Sequence, residues 1–290
     1  MFEKKYKIIH DAPACISWDN YCKKSYDEYQ SLLESSPDDE RAFQQFFEDN
    51  PTFVPGAFEL FGTSGHYPYT QSLISQPELN GGLFKRVPDF IWLAQDSLFF
   101  TPVLIEIEKP SKRTFTNAGV QSADFTQALG QITEWKAILS EPENVLQFYR
   151  CFDIPDWIRK KTFAPQYGLI YGRRKEFETD PFLLKKRAQL VPPDVMLASF
   201  DRLHPDPKGE DLLCSTLSHG EYTVKTIPPT FRFSPSIAEN LSIVNGFDAA
   251  IGKMKSCSAE RKDFLSKRYP YWKAFGSQSN KGIMNTSDYE

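Results

Sequence analysis

An α/β fold with a central mixed sheet flanked by helices is what this sequence predicts, on three observations. Stretches of buried-strand character, PDFIWLA at 88–94, TPVLIEIE at 101–108 and QYGLIYGR at 166–173, alternate with helical stripes, the order expected of layered α/β domains. PDFIWLA is apolar on both faces apart from Asp89, as an interior strand requires. The 290-residue chain is long enough to build a large core.

The elements follow in order. Residues 18–35 read as an amphipathic helix. Asp38 or Asp39 can cap a second helix, on which Phe43, Phe46 and Phe47 form a stripe, and Asn50 with Pro51 ends it. Glu40, Gln44 and Glu48 recur at i, i+4, i+8 beside that stripe. A strand is expected near 55–61 and an irregular insertion after it, where Gly81 and Gly82 read as a turn because no GxxxxGK[ST] accompanies them. Strand 88–94 turns at 95–97 into strand 101–108, an apparent antiparallel pair closed by Pro110. A long helix over 119–139 carries Ala128, Gln131 and Trp135 on one side. A buried strand (166–173), a helix opened by Asp180 and Pro181 (180–191) and a strand (194–203) follow. Beyond 204 come a polar connector, a strand in GEYTVKTIPPTFRF and helical stretches to about 275. The polar tail is expected to be mobile. The division is an N-terminal helical arm (1–37), a core (38–205) and a C-terminal helical extension packed on it (206–290).

Composition bounds the function. Aromatic content is 14%, with 24 Phe, and mean hydropathy is −0.46. No apolar run approaches the ~18 residues of a membrane span, and the start, MFEKKYKIIHDAPACI, lacks the long apolar stretch of a secretory signal. Five Cys without CxxC spacing argue against a disulfide framework or a zinc site, so a reducing cytoplasm is expected. The net charge of −4 does not advertise nucleic-acid binding. Basic residues nevertheless cluster at 109–113, 159–161, 173–175 and 185–187. Each cluster alone reads as a solvated face; together they predict a local positive surface.

The chemistry lies in RVPDF and VLIEIEKP. Strand alternation sends Val103, Ile105 and Ile107 one way and Leu104, Glu106 and Glu108 the other. Glu106 and Glu108 then lie roughly 6.5–7 Å apart, Cα to Cα, on one face. Asp89, on the preceding strand, comes beside Glu106. Crowded carboxylates raise each other's pKa unless a cation neutralises them. Mg²⁺ suits such hard oxygen donors, and the lack of His or Cys speaks against zinc. Taken alone, EIE reads better as the solvent face of an edge strand, with Asp89 as a turn residue. The apolar PDF segment and the Gln131 helix that follows tip the reading toward a site. Trp92 and Trp135 read as core aromatics. His66, in GTSGHYPYT, falls in a loop that can border the site.

A helix with Glu (ERAFQQFFEDNPTFV, 40–54), then PD (RVPDF), then ExE (VLIEIEKP), then a helix with Gln (QALGQITEW, 127–135) resembles the PD-(D/E)xK nuclease superfamily. With YGLIYGRR (167–174) and ASFDRL (198–203), the run from 38 to 205 is similar, more closely, to the Shedu family of bacterial anti-phage defence nucleases. The resemblance implies a restriction-endonuclease-like core. It implies a metal-dependent DNA endonuclease of low sequence specificity, using Mg²⁺ with Mn²⁺ as a substitute and leaving 5′-phosphate and 3′-hydroxyl ends. It makes Asp89 and Glu106 metal ligands, and Glu40, ahead of Glu48, their support. Gln131 would orient the site or a backbone phosphate. Glu108 stands where most members have Lys, and would hold a second metal or accept a proton from water. Lys109 follows directly, but alternation turns it to the opposite face unless a bulge intervenes. Arg86, Lys112, Arg113, Arg173 and Arg174 are the candidate DNA contacts. DNA and further copies of the chain, in a homo-oligomer such as a tetramer, are the expected partners, with no membrane. The Glu108 departure also supports an alternative: a catalytically inactive nuclease-fold module that binds nucleic acid or a protein.

Overall fold

Two helices open the fold, and their caps are written in the sequence. In α1 (Trp18–Ser35) the Ser17 side chain accepts from the Asn20 N–H. In α2 (Glu40–Asp49) the Asp39 carboxylate accepts from the Ala42 N–H, satisfying a donor that the first turn leaves unpaired. Phe43, Phe46 and Phe47 gather with Tyr29 and Phe53, rings in edge or tilted contact. The computed structural model describes residues 3–58, 60, 67–79, 82–178 and 180–290.

Among the described residues the centre is a ten-stranded mixed sheet. Its strands are β1 (Tyr67–Pro68), β2 (Ser72–Ser75), β3 (Phe90–Gln95), β4 (Phe99–Ile107), β5 (Thr162–Phe163), β6 (Gln166–Ile170), β7 (Val195–Ala198), β8 (Leu213–Ser218), β9 (Glu221–Thr226) and β10 (Val244–Asn245). The spatial order is β10-β9-β8-β2-β3-β4-β6-β7, with β1 beside β3 and β5 beside β4. β3 and β4 are antiparallel, Phe90 opposite Ile105, while β4, β6 and β7 run parallel. β3 is thus interior, which explains its apolar character on both faces. Phe90, Trp92, Val103, Ile105 and Ile107 face α1 and α2. Ile91, Leu93 and Leu104 face the other way, toward α3 (Ala123–Leu139) and α4 (Pro142–Cys151). Trp92 and Trp135 are both core residues. The fold is α/β, with helices on both faces of a mixed sheet. Among the described residues no helix is long and apolar enough to cross a membrane.

Several expectations are corrected. No strand forms over 55–58: Pro51–Phe53 is a 3-10 helix followed by turns, with Gly56 at φ +106°, and residues 59 and 61 lie outside the described set. β2 and β8 pair in parallel, and neither was evident in the sequence, because SLIS and LCSTLS are short and bury polar side chains. α3 begins at Ala123, capped by Ser122, four residues later than its apolar pattern suggested. α4 was also missed. The C-terminal region is more than a helical extension: β8, β9 and β10 continue the central sheet, and after α5 (Asp156–Arg159) and α6 (Pro181–Leu190) the helices α7 (Ala238–Ile243), α8 (Phe247–Lys253) and α9 (Ala259–Gly276) pack beside these strands.

The polar tail carries buried contacts at Glu290. The Glu290 side chain is fully buried. It accepts from Arg268, from the Trp272 indole N–H at 2.7 Å and from the Ile9 N–H at 3.0 Å. A buried carboxylate needs such partners, and together they anchor the last residue in spite of its polar neighbours.

Candidate functional site

The structure brings Asp89 and Glu106 side by side, while Glu108 pairs with Lys112. Glu106 is the penultimate residue of β4 and shares the α3 face with Leu104. Extending the β3–β4 register by one residue sets Asp89 against Glu106. The Ile107 N–H donates to Asp89 Oδ2 at 2.8 Å. Burial pushes the Asp89 carboxyl up to about 7; the Ile107 and Gln76 hydrogen bonds oppose that, and the charges of Glu40 and Glu108 add to it. Burial raises Glu106 well above the usual carboxylate range, reinforced by Asp89 and Glu108. A hydrogen bond with Gln131 partly offsets this. The other oxygen, Glu106 Oε2, is buried and has no hydrogen-bond partner, a costly arrangement for a carboxylate.

Helix and loop residues complete the surroundings. Gln131 is buried on α3, and its Oε1 accepts from Arg86 Nη1 at 3.3 Å, so Arg86, Gln131 and Glu106 form a relay. The Arg86 carbonyl accepts from the Trp135 indole. Glu40, half-buried at the start of α2, adds its charge to Asp89, Glu106 and Glu108. Glu48, about two turns further along α2, is directed elsewhere: it pairs with Lys225 at 2.5 Å and accepts from Ser75. Glu108 is raised by burial, and Lys112, whose Nζ lies 2.5 Å from Glu108 Oε2, pulls it back. Lys109 is half-buried and contributes its carbonyl to the turn that ends in the Lys112 N–H. Among the described residues, no three His, Cys, Asp or Glu side chains stand gathered as a ready ion-binding set. Like charges keep apart in a low-dielectric setting, and Glu108 is turned toward Lys112.

The basic clusters divide. Lys112, Arg113, Arg173 and Lys175 line one groove, and Lys112 joins that groove to the acids. Arg113 is half exposed and donates to Asn117 at 2.7 Å. Arg174 is exposed. Arg173 is engaged structurally, paired with Asp201 at 2.7 Å and Glu34 at 3.2 Å and donating to the Leu33 carbonyl, which leaves it little capacity for a phosphate. In the other two clusters, Lys161 donates to Gln95 and to the Asp96 carbonyl, and Lys186 donates to the Gly119 carbonyl. His66 and Gly81 lie outside the described residues.

Sequence reasoning missed Gln76. Its backbone N–H donates to the Asp89 carbonyl at 3.0 Å, its side chain hydrogen-bonds the Asp89 carboxyl, and it holds φ at +39°, a strained value for a residue other than Gly. No spacing in SQPELN marks it; only the β2–β3 pairing brings it beside Asp89. Asp124, whose charge acts on Glu108 and Lys112, was missed for the same reason.

No curated protein matches the chain. The family described as Shedu protein SduA, C-terminal, matches residues 37–204. That span holds all four acids, Gln131 and the groove, and is more than half of the chain. On that match, the chain belongs to the Shedu family of anti-phage defence proteins.

Proposed function

We propose that this chain is a divalent-cation-dependent endonuclease that hydrolyses DNA in anti-phage defence. The carrying observation is the buried Glu106 oxygen without a donor, beside Asp89 and next to a basic groove. The donor set fits a hard cation such as Mg²⁺ or Mn²⁺: all-oxygen, crowded and incompletely satisfied. Asp89 and Glu106 would hold the ion, with Glu40 adding negative charge. The bound ion would supply Lewis-acid stabilisation of the charge that grows on the phosphate. Gln131 keeps Glu106 oriented and is itself held by Arg86. Arg86, Arg113 and Arg174 contact backbone phosphates, which gives affinity without sequence information. Hydrolysis then leaves a 5′-phosphate and a 3′-hydroxyl. The chain is expected to work as a homo-oligomer.

One observation favours a non-cleaving module: Glu108 and Lys112 neutralise each other within the site. Plasmid and linear DNA incubated with Mg²⁺ or Mn²⁺, against an EDTA control, separate the readings. The wild-type protein is expected to cleave, and Asp89→Ala and Glu106→Ala to lose at least about 100-fold in rate while still binding DNA. Equal inactivity of all three, with binding intact, would establish the non-cleaving module instead.

A further inference from the structure

Lys112 sits where the acidic cluster meets the basic groove, and its loop is clamped from three sides. The Lys112 N–H donates to the Lys109 carbonyl at 3.1 Å, closing a turn. Ser111 is held by α2's leader: its N–H donates to the Pro37 carbonyl at 3.1 Å and its hydroxyl bonds Asp38. Beneath the loop, Gly172 has φ +64°, and a Cβ there would lie 2.7 Å from the Lys112 carbonyl. Only glycine meets both demands. The Tyr171 hydroxyl donates to the Arg113 carbonyl at 3.3 Å.

The ammonium itself is part-buried, with its side chain 25% exposed against 13% for Glu108. Glu108, Asp124 and Glu40 all act on it electrostatically. Glu108 occupies it at one oxygen, and an ammonium has three donors, so capacity remains for a second anion. A DNA phosphate approaching the acids meets repulsion from those that are ionised. Lys112 offers a positive charge there, held in place before any substrate arrives. A surface lysine that merely tracks the DNA backbone needs neither a buried partner nor a clamped loop.

We propose that Lys112 is a catalytic ammonium that contacts the scissile phosphate, and that Glu108 is the positioning residue that holds it there rather than a cation ligand. This role rests on the endonuclease reading. In the step itself the water oxygen bonds to phosphorus, and the P–O3′ bond breaks with its electron pair staying on O3′. Water gives up one proton to solvent, O3′ gains one, and Lys112 keeps its three throughout. Its fixed charge faces the non-bridging oxygens as their charge grows, the kind of preorganised stabilisation worth about 100- to 1,000-fold per donor.

The test compares wild type, Lys112→Met, Glu108→Gln and the double variant Lys112→Met/Glu108→Lys. Three quantities are measured: single-turnover cleavage at saturating DNA with Mg²⁺, DNA affinity in EDTA, and Mn²⁺ affinity without DNA by calorimetry. K112M is expected to lose about 100-fold or more in cleavage rate while its DNA affinity changes less than about fivefold. E108Q should lose about tenfold in rate and leave Mn²⁺ affinity within about threefold. The double variant restores an ammonium on the Glu106 face of the strand and should regain at least about tenfold over K112M. A misfolded single variant could not be rescued in that way. The role is overturned if K112M cleaves at the wild-type rate once DNA saturates, or if the double variant recovers nothing. It is also overturned if E108Q weakens Mn²⁺ binding by more than about 100-fold, beyond the loss caused by a residue that only orients a ligand. If wild type cleaves no DNA, the endonuclease reading falls and this role with it; if wild type cleaves and K112M matches it, this role alone falls.

Discussion

Asp89 links folding to proton binding. Its folded pKa is raised from an ordinary 3.8 to about 7, with burial the main cause. The folded state therefore keeps a proton that the unfolded chain releases, and stability contributed by the neutral form is lost as pH rises from about 4 through 7. Metal-free protein is expected to melt at a higher temperature at pH 5 than at pH 8. Asp89→Asn should raise stability at pH 8 by about 1 kcal/mol or more and flatten the slope, read from melts across that range. A steeper slope in D89N would refute this account. Cation binding runs the other way, since ligating carboxylates must be ionised: Mn²⁺ affinity should rise between pH 6 and 8, measured by titration calorimetry. At this scale the sequence was informative about which acids meet. It was silent on Gln76 and on the partner of Glu108, because contacts between separate segments have no periodicity to betray them.

Among the elements, the pairing of β4 with β6 decides how firmly Glu106 is held. Gly168 lies opposite Ile105, and a Cβ at 168 would come within 2.5 Å of Ile105 Cδ1 and 3.2 Å of Met196 Cε. Gly168→Ala should therefore cost about 1–3 kcal/mol through overpacking, measured in urea. Removing the offending methyl with Ile105→Val should recover part of that loss, so the double variant is more stable than additivity predicts. Strict additivity would show that the two positions do not collide. Elements with a clean period, α1, α2, β3 and β4, were legible in the sequence. β2 and β8 were not: Ser72 and Ser215 are buried and bonded to each other, so a polar pattern that suggests a loop is satisfied inside the sheet.

For the whole molecule, one prediction concerns anchoring and one charge. The Glu290 carboxylate pairs with Arg268 in a buried setting. Glu290→Ala leaves that guanidinium without its ion pair and should cost about 3 kcal/mol or more, lowering the melting temperature while DNA contacts in the groove stay intact. A melting temperature unchanged from wild type would contradict the anchoring role. Net charge is −4, yet Lys112, Arg113, Arg173 and Lys175 share a groove. DNA binding, measured in EDTA by fluorescence anisotropy, should weaken steeply with salt. Arg113→Ala should reduce the slope of log K against log salt by about 1. An unchanged slope would take Arg113 out of the interface.

The sequence by itself determined the α/β class, the β3–β4 hairpin, and the facing of Glu106 and Glu108 away from Ile105 and Ile107. Alternation and helical period are properties of the local backbone, so a local pattern reveals them. Only the tertiary structure decided that Glu48 belongs to Lys225 and Ser75 and that Arg173 belongs to Asp201 and Glu34. It also decided that the C-terminal region completes the sheet, and that Glu108 faces Lys112. Each of those outcomes depends on which distant segments pack together, and burial and charge pairing act through space, not along the chain.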